Sequence, residues 1–102
     1  MKSFEKIESM VKEICNDLFG DFNLGGYESY NFIGDELSEI PNLEWNDNTE
    51  MTVTTWNVID GLGESNFIHV VTVPQTDDIK AVVMNTESNP EFKVIDFQKY
   101  LK

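Results

Sequence analysis

Arginine is absent from this 102-residue chain, cysteine and histidine each occur once, and no lysine stands between Glu13 and Ile79. Each absence excludes something. A single cysteine, Cys15, cannot form an intramolecular disulfide, and no second thiolate exists for a cysteine-based zinc site. Direct binding of nucleic acid is disfavoured, because contacts to phosphate need clustered lysine and arginine and this chain has seven scattered lysines. No apolar run approaches the ~18 residues that cross a bilayer, and the N-terminus lacks the uninterrupted apolar stretch of a secretory signal, so a cytoplasmic location is expected. No HExxH, GxSxG or kinase pattern occurs either.

What is present in excess is carboxylate. Nineteen acids against seven lysines leave a net charge of −12, and fourteen of those acids fall in the lysine-free span. The lysines sit at the two ends of the chain. Hydrophobic residues still make up 40% of the sequence and aromatic residues 12%, too much apolar material for a disordered acidic tail. A folded single domain covering 1–102 is therefore expected, with the excess acid serving either solubility or a positively charged partner.

The first element is plain. Phe4, Ile7, Met10, Val11, Ile14, Leu18 and Phe19 recur at helical spacing, with Ser3 as N-cap and Gly20 just past the end. GDFNLGG reads as a flexible connection and YESYNFI, residues 27–33, as a strand. GDELSEI suits a helical turn or two before Pro41, and PNLEWNDN is irregular. MTVTTWNVI and NFIHVVTV, joined by the DGLGES turn, form a hairpin, which IKAVVMNT extends into a meander. The end of the chain has two readings: a helix opening at Pro90, or a strand FKVI followed by a terminal helical turn capped by Asp96. The fold class expected is α+β, an antiparallel β-meander of three to four strands packed with an N-terminal amphipathic helix and a short C-terminal helix. Alternation puts Phe67, His69, Val71 and Val73 on one face of the middle strand and Ile68, Val70 and Thr72 on the other. Both faces are semi-apolar, so something covers each, whether helices, a second layer or another subunit.

Chemistry is thinly represented. His69 lies in a strand between Phe67 and Val71 and reads as a packed or hydrogen-bonded residue. Cys15, beside the apolar stripe of the helix, reads as a small core hydrophobe; a Cys–His dyad would need helix and sheet to cross at one particular place. NDNTE resembles the start of a calcium loop, yet counted from Asp47 its sixth and twelfth positions are Thr52 and Val58, where a glycine and a glutamate are required. DGLGES lacks the lysine and the following helix of a phosphate-binding loop.

These features predict a small acidic protein–protein interaction module, not an enzyme, needing neither metal nor cofactor. Its partner would be a basic protein such as a nuclease or another nucleic-acid-binding protein, occluded in the manner of an inhibitor or immunity protein whose carboxylates take the place of phosphates. Asp35, Glu36, Glu39, Glu44, Trp45, Asp47 and Glu50 are the expected contact residues. Trp45 or Tyr27 would supply the aromatic anchor, although Trp45 could equally anchor its own segment to the core. Two other classes stay open: a self-assembling structural or accessory subunit that dimerises through its sheet, and a small-ligand-binding domain with an apolar pocket.

Overall fold

The computed structural model describes residues 2–101. Its elements are helix α1 (Lys2–Phe19), strand β1 (Phe22–Ile33), a 3-10 helix (Gly34–Glu39), β2 (Glu50–Asp60), β3 (Ser65–Thr72), β4 (Ile79–Thr86), β5 (Lys93–Val94) and a 3-10 turn (Gln98–Tyr100). The strands form one antiparallel sheet in the order β1-β2-β3-β4-β5, so every neighbour in space is a neighbour in sequence. This is the α+β class expected, with five strands where three to four were anticipated and a single 3-10 turn as the C-terminal helix.

α1 is held by its apolar stripe. Ile7, Met10, Val11, Ile14 and Cys15 are buried against Trp56 and Val58 of β2, Ile68 and Val70 of β3 and Val82 of β4. Gly20, at φ +71°, ends the helix in the left-handed conformation that favours glycine, and its N–H donates back to the Asn16 carbonyl. The N-cap expected of Ser3 falls on a side chain outside the described residues. Leu18, although part of the predicted stripe, stays exposed.

GDFNLGG is not a connection: Phe22, Asn23 and Leu24 already pair with Asp60, Ile59 and Val58. Its glycines serve a bulge instead. The register slips by one residue between Leu24 and Tyr27, setting Gly25 and Gly26 against Asn57. A Cβ on Gly25 would stand 2.9 Å from the Asn57 carbonyl oxygen, so the close approach depends on glycine.

At the end of the chain the strand reading is the correct one. β5 pairs with β4, and the Gln98 N–H donates to the Asp96 carboxylate at the start of the terminal turn. The Tyr100 hydroxyl then donates to Asp17 of α1, tying the two ends of the chain together. The β2–β3 turn is organised by Asp60, whose carboxylate accepts from the N–H groups of Leu62 and Glu64 and from the Asn66 side chain. These bonds hold the Asp60 carboxyl below the usual carboxylate range.

The sheet is covered on both faces by the chain itself. α1 closes the face bearing Trp56, Ile68, Val70 and Val82. On the opposite face Leu37 and Ile40, with Leu43 beside them, pack over Val53, Val71, Ala81 and Val83. That second cover reaches one end alone. Thr55, Asn57, Phe67, His69 and Asn85 continue the same face beyond it, with Phe92 set against His69.

Candidate functional site

The acidic segment 34–50 is shaped by short-range bonds of its own. Gly34 takes φ +60°, and its N–H donates to the Thr49 carbonyl at 2.9 Å, which closes the segment into a loop at its two ends. Leu37, fully buried, and Ile40 fasten the 3-10 helix to the sheet, and Asp35, Glu36 and Glu39 around them are exposed. At the far end the Asn46 N–H donates to Thr49 Oγ1 and the Asn48 N–H to Asn46 Oδ1. These oxygens face their own backbone, unlike the inward-facing ligands of a calcium loop.

Six of the seven expected contact residues are exposed acids, and the structure divides them. Asp35, Glu36, Asp47 and Glu50 gather at the junction of β1 with the 3-10 helix, because Gly34 packs on the Asp47 backbone and Glu50 pairs with Ile33. Glu39 follows Glu36 by one turn of the same 3-10 helix, and Glu44 lies in the irregular segment beyond it. Two acids have structural duties: Glu36 accepts the Ile33 N–H at 3.0 Å, and Glu50 accepts from the Asn31 side chain at 3.0 Å. The carboxylates of Asp35, Glu39, Glu44 and Asp47 have no cation within ion-pair distance among the described residues. Trp45 is 37% exposed and belongs to neither apolar cluster.

The lysines are elsewhere. Lys6 and Lys12 are on α1, while Lys80, Lys93 and Lys99 lie on β4, β5 and the terminal turn. Because β1 and β5 are opposite edges of the sheet, the charge asymmetry of the sequence becomes an asymmetry in space. β1 and the segment 34–50 carry carboxylates and no lysine.

Tyr27 is the second aromatic residue on that side. The residue is 50% exposed and its ring lies against Phe4 and Trp56, with centroids 4.7 and 5.6 Å away. Tyr30, 59% exposed, donates its hydroxyl to Glu28 at 2.8 Å. Both stand on the outermost strand, and sequence reasoning passed over Tyr30 altogether. The signal was there in YESYNFI, where aromatic and polar residues recur without the strict alternation of a half-buried strand.

Nucleophilic chemistry finds no support in the geometry. Cys15 is buried beneath α1, and burial pushes its thiol up to about 11. His69 is on the other side of the sheet, where its Nδ1 accepts from the Thr55 hydroxyl and its Nε2–H donates to Asn85 Oδ1, both at 2.8 Å. This tautomer is the one its partners dictate, since the Asn85 amide nitrogen is itself turned to the Pro90 carbonyl. Phe92 meets the imidazole edge-on. Among the described residues no group of three or more His, Cys, Asp or Glu is placed to hold a metal ion, and no helix is long and apolar enough to cross a membrane. Five surface clefts, of about 150 to 400 Å3, are lined by neither Cys15 nor His69.

Compared with models of known protein families, with curated proteins and with solved structures, the chain matches none.

Proposed function

We propose that this protein is a small acidic interaction module that binds a basic protein, occluding lysines and arginines that otherwise meet phosphate. The observation that carries this reading is the convergence of Asp35, Glu36, Asp47 and Glu50 at one junction of a rigid scaffold, with every described lysine on other elements. Uncompensated charge of one sign on a fixed surface speeds encounter with the opposite sign and repels acidic competitors. Trp45 at the rim offers the aromatic burial that charge alone does not supply.

The variant that tests the reading is chosen from the contacts. Glu36 caps Ile33, so replacing it would disturb the fold; Asp35, Glu39 and Asp47 have no such duty. Asp35→Lys, Glu39→Lys and Asp47→Lys together reverse the field while each exposed change costs within about 0.5 kcal/mol. In a pull-down from nuclease-treated host lysate at ~0.15 M salt, wild type should retain a basic nucleic-acid-binding protein that the triple variant loses. Raising the salt to ~1 M, where the Debye length is ~3 Å, should release it. Identical retention by both forms would refute the acidic face.

A further inference from the structure

β1 is the free edge of the sheet, and its hydrogen-bonding phase can be read from its last pair. Gly34 N–H bonds to Thr49 O, continuing the register in which Ile33 stands opposite Glu50. In an antiparallel ladder paired and outward-facing residues alternate, so Phe32, Tyr30 and Glu28 direct their backbone groups to β2, while Ile33, Asn31, Ser29 and Tyr27 direct theirs away from the sheet. The capping bond agrees with this phase: the Ile33 N–H, pointing outward, is taken by Glu36. Upstream, the Gly25–Gly26 bulge interrupts the ladder. Between cap and bulge lies a five-residue stretch, Tyr27–Asn31, whose outward N–H and C=O groups have no protein partner among the described residues.

We infer that Tyr27–Asn31 is an acceptor edge onto which an extended, basic segment of a partner protein adds as a sixth strand. Exposed edges of this kind invite strand addition, with main-chain bonds supplying affinity and alternate side chains supplying specificity. Charge selects the occupant. Glu28 stands within the stretch and borders an open cleft of about 400 Å3 lined also by Gly26, Tyr27, Thr55, Asn57 and Phe67, with no cation among them. A lysine or arginine paired with Glu28 would reach over that cleft. Residues opposite Tyr27 and Ser29 fall on the other face, beside the Phe4, Tyr27 and Trp56 rings, and are apolar. The segment recognised thus alternates basic and apolar residues. A second copy of this chain is a poor occupant: self-pairing about Ser29 sets two Glu28 carboxylates at diagonal positions on one face, between bodies that each carry −12. The sign of the partner's charge rests on the reading proposed above, but the edge and its phase do not.

The test uses the intact protein and an end-blocked eight-residue peptide of alternating valine and lysine. On titration, amide hydrogen exchange at Tyr27, Ser29 and Asn31 should slow by at least tenfold, while Glu28 and Tyr30, already bonded to β2, change little. Ser29→Pro, which removes one outward N–H, should weaken binding at least tenfold; Ser29→Ala, which removes the hydroxyl bonded to Thr54 and keeps the N–H, should not. Glu28→Lys should lose the valine–lysine peptide and take a valine–glutamate one. Unchanged exchange at the three outward amides, equal binding by Ser29→Pro, or protection of those amides by self-association without peptide would each overturn the proposal. The Asp35, Glu39 and Asp47 variant keeps β1 intact, so failure of the acidic junction and failure of the edge show up separately.

Discussion

Cys15 and His69 stand on opposite sides of the same sheet. Cys15 shares the core beneath α1 with Ile68 and Val70, and His69, between those two in β3, points the other way to Thr55 and Asn85. The sheet separates the two groups that a thiol–imidazole pair would have to bring together. Cys15 should therefore behave as a buried apolar residue. At pH 8 a thiol raised to about 11 from 9.0 has about a hundredfold less thiolate, and burial slows access further. Iodoacetamide labelling of the native protein should be at least that much slower than in denaturant, and comparable rates would show that the helix does not cover the thiol.

His69 gives the stability a pH dependence of known sign. Burial holds the imidazole below its ordinary range, outweighing the Asn85 bond that favours the charged form. As pH falls below about 6.5 the unfolded chain takes up this proton while the folded one still resists, so stability declines. His69→Gln should flatten that decline relative to wild type in thermal melts between pH 7 and pH 5, the carboxylates contributing equally to both. Parallel slopes would remove His69 from the account.

Trp56 is fully buried and stacked with Phe4 at 5.8 Å, so Trp56→Ala should cost ~3 to 5 kcal/mol in urea unfolding. Its indole Nε1–H has no acceptor among the described residues. Trp56→Phe forfeits shape but no hydrogen bond, and should cost less than half as much as the alanine. Equal losses would mean that the indole nitrogen is satisfied in solution.

Gly34 is the hinge of the acidic loop. At φ +60°, with a Cβ position 3.3 Å from the Asp47 carbonyl oxygen, alanine there meets both left-handed strain and a tight contact. Gly34→Ala should lose ~1 to 2 kcal/mol. A variant as stable as wild type would show that the loop tolerates a different junction.

Periodicity decided much of what was legible beforehand. α1, β2, β3 and β4 announce themselves because apolar residues repeat at 3.6 or cluster as β-branched runs, and such local patterns survive tertiary packing. β1 was half hidden: glycines that read as a flexible link are a bulge, and two glycines beside Tyr27 look the same in either role until a partner strand supplies Asn57. The six acids were visible as composition, but which of them meet was not.

The sequence by itself determined the charge, its confinement to the lysine-free span, the helix and the meander. Tertiary structure alone decided the rest: that Cys15 and His69 are separated by the sheet, that Asp47 and Glu50 are brought to the junction that bears Asp35 and Glu36, and that Tyr27–Asn31 turns outward backbone groups with no partner among the described residues. The physical reason is range. Propensity and alternation act over a few residues, whereas these relationships depend on β-ladder register and chain crossings between residues far apart in the sequence, set when the whole core closes.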